Sequence, residues 1–142
     1  MNKDVLNAAL RLLGRRDHSE KELVNKLRQR KFNSADISPV IEHCLSEGWL
    51  DEARFCESYC RRRSDAGYGP QRIRAELSER GIDSYLIEQA FANNGIDWQQ
   101  ALIQCAERRF SAAPKSHEER AKQIRFLIYR GFSYDQVQNM YK

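Results

Sequence analysis

The chain has 142 residues, a net charge of +4 and a pI near 9.0, with 41% hydrophobic and 31% charged residues. That suits one ordinary core or a short array of small repeats, and charges spread along the chain suit amphipathic helices with solvated outer faces. Only 7 Gly and 3 Pro speak against a turn-rich β-sandwich.

No apolar run approaches the roughly 18 residues of a membrane span, so no membrane is expected. Met1-Asn2-Lys3-Asp4 is followed by no signal-peptide apolar region, which places the expected compartment in the cytoplasm. Cys44, Cys56, Cys60 and Cys105 form no CxxC pair and read as small buried hydrophobes in a reducing compartment. The modest positive excess favours nucleic acid, or a complex that contains it, as the partner.

In chain order, Leu6, Ala9, Leu10 and Leu13 predict one face of a helix over about 3–15. Ser19 with Glu22 forms a capping-box pattern that opens a helix over 20–30, with Leu23 and Leu27 inward. Ser34 is expected to cap a helix over 35–47 carrying Ile37, Ile41 and Leu45. Pro39 predicts a late start or a slight kink there, and Gly48 ends it. Asp51 opens a helix over 52–65 with Phe55, Tyr59 and Cys56 or Cys60 inward. Gly67-Tyr68-Gly69 breaks it, and Pro70 starts a helix over 70–80 with Ile73 and Leu77 inward. A further helix follows Asp83 and ends near Gly95. Asp97 opens one to about 110, Ser116 one over 117–130, and Ser133 a short last one.

These elements repeat. Leu27, Leu77 and Leu127 stand fifty apart, as do Phe32, Ile82 and Phe132, then Ile37, Ile87 and Val137, then Ile41, Phe91 and Tyr141. Arg30, Arg80 and Arg130 share one phase, followed by Lys31, Gly81 and Gly131. The reading is therefore all-α: three tandem three-helix repeats, 1–49, 50–95 and 96–142, in an elongated, curved array. Repeats this small need neighbour packing, and Trp49, Leu50, Ile96 and Trp98 at the joints are the candidates for it. Gln123 is a departure, because a polar residue takes the inner position held by Leu23 and Ile73.

Catalysis finds no support. His18, His43 and His117 sit at caps, beside a cysteine or at a helix start, and no HExxH, GxSxG or Walker loop occurs. Asp51, Asp83 and Asp97 read as caps. Cys56 and Cys60, one turn apart, lack two further metal ligands, so no cofactor is expected.

The densest basic patch is Arg61, Arg62, Arg63, Arg72 and Arg74 around Tyr68. Arginine forks suit phosphate or carboxylate. Gly67-Tyr68-Gly69-Pro70 before a helix could be a plain turn or offer backbone N–H groups to a phosphate. A second basic stretch is Lys26, Arg28, Arg30 and Lys31, and a third runs from Arg108 to Arg125. Net charges of +2 over 1–50, −1 over 51–95 and +3 over 96–142 make the middle repeat polarised, which fits a protein partner at least as well as bare DNA.

Asp51-Glu52-Ala53-Arg54-Phe55, Tyr59, Arg63, Gly67-Tyr68-Gly69-Pro70, Ile73, Glu76-Leu77 and Gly81-Ile82 resemble the signature of the RecX family of regulatory proteins. Ala9-Leu10 to Leu13, Arg16, Ser19, Glu22-Leu23 and Leu27 also match, as does Arg125-Phe126-Leu127 through Arg130-Gly131-Phe132. The resemblance implies a modulator of the RecA recombinase. Such a protein binds along the RecA–single-stranded-DNA filament, inhibits its growth, ATP hydrolysis, strand exchange and co-protease activity, and binds single- and double-stranded DNA weakly. Carried over, Arg54, Tyr59, Arg63, Tyr68 and Arg72 are the leading contact candidates, with Arg61, Arg62, Arg74, Lys26, Arg28 and Arg30 beside them. Arg54 and Tyr59 have a structural alternative. A monomer is the default. The competing reading is a stand-alone helix-turn-helix DNA-binding protein, for which Gln71-Arg72 is the one fair recognition-helix start.

Overall fold

Nine helices and no strands form in the computed structural model, which describes Met1–Lys142. They are α1 (Lys3–Arg15), α2 (Glu20–Gln29), α3 (Ser34–Ser46), α4 (Glu52–Asp65), α5 (Pro70–Glu79), α6 (Ser84–Asn93), α7 (Trp98–Arg109), α8 (His117–Tyr129) and α9 (Tyr134–Met140). None is long and apolar enough to cross a membrane.

Most helix starts follow from short polar side chains. Ser19 and Glu22 close a full capping box on α2, and Asp97, Ser116 and Ser133 accept from the third backbone N–H of α7, α8 and α9. The Asp51 carboxylate accepts from Arg54 N–H and the Asp83 carboxylate from Leu86 N–H. Each such cap stabilises its helix by about 1 kcal/mol.

Four expectations for the first repeat are corrected. Its first helix buries Val5, Ala8, Ala9 and Leu12, and Leu10 is 36% exposed. The stripe sits one residue earlier, because the small side chains of Ala8 and Ala9 let α2 and α3 approach while Leu6 and Leu13 flank the core. The cap of α3 is Asn33, whose extended backbone aims its carboxamide oxygen at the Asp36 N–H, so Ser34 is the first helical residue. Leu45 is 41% exposed, since a stripe through Ile37, Val40, Ile41 and Cys44 continues to position 44. Nor does Pro39 delay this helix, which already begins at Ser34 and runs through it.

The chain divides into two compact units, Met1–Ser58 with Leu77–Ala90, and Tyr59–Glu76 with Phe91–Lys142. The first holds a core of Val5, Ala9, Leu12, Leu23, Leu27, Ile37, Val40, Ile41, Cys44 and Leu50. The second holds a smaller one, Leu102, Cys105, Leu127, Phe132 and Val137, with Ile124 and Phe126 against it. Leu27, Leu77 and Leu127 are each 0% exposed. A buried leucine stabilises by about 2–3 kcal/mol, which explains why this position anchors every repeat. The polar Gln123 is held: its oxygen accepts from the Tyr141 hydroxyl at 2.6 Å and its amide donates to the Ala112 carbonyl.

The turn after the second helix of each repeat needs a left-handed residue. Lys31, Gly81 and Gly131 occupy it with φ of 72°, 81° and 107°. The phrase read as Arg followed by Lys or Gly thus records a backbone requirement, met in the first repeat by a strained lysine.

Candidate partner-binding surface

Within each unit, the opening turn of one repeat's second helix meets the left-handed turn of the next repeat. In the first unit, the Lys21 amine donates to the Glu79 carbonyl at 3.1 Å, and a Cβ on Gly81 would lie 2.9 Å from Lys21 Cβ. Glu22 gathers charge here, taking a two-pronged pair from Arg16 at 3.2 and 3.3 Å and a longer one from Arg80 at 3.7 Å. Burial alone would raise the Glu22 carboxyl, but the Arg16 and Ser19 hydrogen bonds and the Arg16 charge hold it below the usual carboxylate range.

His18, 1% exposed, sits beside it. Its Nδ1 lies 3.0 Å from the Arg16 carbonyl oxygen. A carbonyl only accepts, so Nδ1 carries the proton and Nε2 accepts from the Lys26 amine at 2.8 Å. Burial pushes His18 below its ordinary range, and the charges of Arg16 and Lys26 act in the same direction. Lys26 is thereby committed inside the first repeat, whereas Arg28 and Arg30 are exposed at the end of α2, where cations suit the helix dipole. Arg54 is committed too: it donates to Asp17 at 2.8 Å and to the Gly48 and Trp49 carbonyls at 3.2 Å each, which ties the start of α4 to the first repeat.

The second unit repeats this joint with different side chains. Gly69 N–H donates to the Arg130 carbonyl at 2.8 Å and Gln71 N–H to the Gly131 carbonyl at 2.9 Å. The approach is backbone on backbone, since a Cβ on Gly69 would lie 2.5 Å from the Gly131 carbonyl carbon. Gly67 and Tyr68 N–H groups are spent on the Ser64 and Arg63 carbonyls. The phosphate-loop reading of Gly67–Pro70 is therefore corrected: its amides are used internally, and Pro70 has none. The same packing occupies Gln71-Arg72, the start proposed for a DNA-reading helix.

Tyr68 is the centre of this joint. The guanidinium carbons of Arg63, Arg72 and Arg130 lie 3.9, 4.5 and 4.7 Å from its ring centroid. Glu76 binds Arg63 with both oxygens at 2.9 Å, accepts from Arg72 at 3.3 Å and takes the Tyr59 hydroxyl at 2.9 Å. Burial would raise the Glu76 carboxyl, but the bonds from Arg63 and Tyr59 and the Arg63 charge hold it low. Tyr59, 4% exposed, is thus a core residue with a polar anchor. Arg130 faces the Tyr68 and Phe126 rings and donates to the Ala66 carbonyl at 3.4 Å.

The remaining candidates lie outward of this centre. Arg61 and Arg62 are exposed on α4, Arg62 with its guanidinium 5.4 Å from the Tyr59 ring, and Arg74 stacks 4.2 Å from Phe91. Arg108, exposed at the end of α7, donates to the Asp65 carbonyl at 3.1 Å and so brings the third basic stretch beside the last turn of α4. Sequence reasoning left Arg130 and Tyr129 out of the site. Tyr129 is 73% exposed and its ring lies 5.3 Å from the Arg72 guanidinium. The signal was available in the fifty-residue register, which pairs Arg130 with Arg80. Cys44, Cys56, Cys60 and Cys105 are all buried, and burial pushes the Cys60 thiol up to about 11, against any nucleophilic use.

Family models for the RecX first, second and third three-helix domains match residues 6–44, 51–90 and 96–139. The chain is 41% identical to the regulatory protein RecX of Yersinia enterocolitica, covering 97% of this chain and 96% of the relative. It is 44% identical to that of Pseudomonas entomophila, covering 94% and 86%. Among solved structures, RecX from Lactobacillus salivarius superposes with a TM-score of 0.80 at 27% identity, covering 96% of this chain and 92% of that one. With three family domains in order across nearly its whole length, this chain belongs to the RecX family of regulatory proteins.

Proposed function

We propose that this protein binds the RecA–single-stranded-DNA filament and inhibits its ATPase, strand exchange and co-protease activity, as a cytoplasmic monomer acting stoichiometrically and without cofactor. The observation that carries the reading is the ordered match to all three RecX domains. Distributed arginines support it: a filament offers a long surface of alternating protein and phosphate, and separate basic patches suit such a surface better than one deep pocket would. In this reading the three repeats, 1–49, 50–95 and 96–142, each bring one patch. Arg28 and Arg30 serve the first, Arg61, Arg62 and Arg74 with the Tyr68 centre the second, and Arg108 the third. Arg54, Tyr59 and Lys26 position the surface from within.

The test is a titration of RecA ATPase on single-stranded DNA. Wild type lowers the rate as it approaches equimolar protein, and the Arg61→Ala, Arg62→Ala double variant requires about tenfold more, equivalent to about 1.4 kcal/mol. Unchanged ATPase at saturating wild-type protein overturns the reading. Equal affinity for naked DNA and for the filament would replace it with simple DNA binding.

A further inference from the structure

Register exposes an imbalance. Fifty residues separate Glu22 from Arg72 and Arg80 from Arg130. At the first joint this pair of positions holds opposite charges, 3.7 Å apart. At the second it holds two arginines, which share the Tyr68 ring with Arg63. Glu76 answers Arg63 and Arg72. The partners of Arg130 are two rings and a carbonyl oxygen. Three guanidiniums packed on one ring repel each other, and a half-buried arginine without a carboxylate keeps hydrogen-bonding capacity in reserve.

We propose that the surface formed by Arg72, Arg130 and the exposed ring of Tyr129 is the docking point for an acidic side chain of a protein partner. The carboxylate supplies to Arg130 the acidic partner that Glu22 supplies to Arg80 at the first joint. Several observations favour a carboxylate over a nucleic-acid phosphate. The same fold solves the same position with a glutamate. Glu76 already shows a carboxylate seated between forks of this cluster. Arg72 is 32% exposed, so its guanidinium is open in part to a planar carboxylate. Tyr129, exposed beside Arg72, adds the apolar contact that arginine–tyrosine hot spots supply at protein interfaces. The inference rests on the reading of this chain as one that docks on a larger assembly, and it names the chemistry of one contact.

The experiment uses the full chain, labelled for NMR at arginine Nε, and two probes of equal formal charge: octaglutamate and an oligothymidylate. Octaglutamate is expected to shift the Arg72 and Arg130 Nε–H signals. Arg130→Gln should weaken its binding about tenfold, while Arg125→Gln, an exposed charge elsewhere on α8, changes it less than about twofold. Arg72→Glu supplies the carboxylate from within. It should keep the fold, as read by circular dichroism, and lose octaglutamate binding, which covers the case in which Arg130→Gln does not fold. The proposal is overturned if oligothymidylate shifts these signals and octaglutamate does not. Equal losses in Arg125→Gln and Arg130→Gln, or undiminished peptide binding by Arg72→Glu, overturn it as well. Because the probes are free peptide and oligonucleotide, failure here leaves the recombinase assay standing, and failure there leaves this site standing.

Discussion

The joint at Gly81 and the joint at Gly131 hold the same place in the repeat but differ both in contact and in charge. At the first, Glu22 pairs with both Arg16 and Arg80, and the contact to the glycine is made by the Lys21 side chain, its Cβ nearest. At the second, arginines surround Tyr68, and the glycine contact is main chain to main chain. The difference separates what holds two helical turns together from what they present to a partner. At the first joint one carboxylate faces two arginines, and at the second one carboxylate answers two of three arginines packed on a ring, which leaves the larger positive surplus there.

The largest expected break of this comparison comes from the glycines. A Cβ on Gly131 would lie 2.4 Å from Arg72 Cβ and 2.8 Å from its backbone nitrogen, at a φ of 107°. Nothing there can move cheaply, so Gly131→Ala is expected to cost about 3 kcal/mol or more in urea unfolding. Gly81→Ala, which presses on a lysine side chain, should cost about 1–2 kcal/mol. Equal costs would mean that the two joints are not differently built.

Removing each joint's carboxylate sharpens the electrostatic contrast. Glu76→Gln removes the negative charge and one of the two acceptor oxygens shared by Arg63, Arg72 and the Tyr59 hydroxyl, and leaves like charges packed on one ring. A loss of about 2–3 kcal/mol is expected, against about 1–2 for Glu22→Gln, because that carboxylate's loss leaves arginines less crowded about a ring. Thermal melts at two salt concentrations check both. Added salt should recover more of the loss in Glu76→Gln.

The smallest effect is confined to the first joint. The folded state holds His18 neutral, below its ordinary range, so the unfolded chain takes up the proton first as pH falls. Stability from this residue is complete above the ordinary histidine range and declines as pH drops through it. Melting temperature should therefore fall between about pH 7 and about pH 5, and His18→Gln should flatten that stretch. The position fifty residues on is Tyr68, which carries no imidazole, so Tyr68→Phe should leave the pH profile of wild type intact.

Helices, caps and repeats were readable because they depend on local rules: a Ser, Asp or Asn ahead of an apolar stripe, and a left-handed residue behind it. Errors arose where neighbouring faces competed. Leu10 and Leu45 are good apolar candidates by spacing, yet α1 and α3 turn smaller residues inward because helices pack closer over alanine and cysteine. The basic cluster was readable as composition and not as architecture. Arg61 to Arg63 are adjacent in sequence, but it is Arg63 that pairs with Glu76 and packs on Tyr68, and the third arginine on that ring comes from residue 130. Such a contact depends on how repeats stack, which no single window of sequence records. Register at fifty residues does record it, once positions are compared in pairs.

Gly69 and Gly131 meet through amides and carbonyls, groups that every residue carries. A seam held this way keeps its spacing whatever side chains stand around it. That leaves position 72 at liberty to be a base, where position 22 of the first joint is an acid, without this turn losing its place. In a protein built by copying one small unit, such a seam lets one copy drift toward recognising something new while its neighbour goes on holding the chain together.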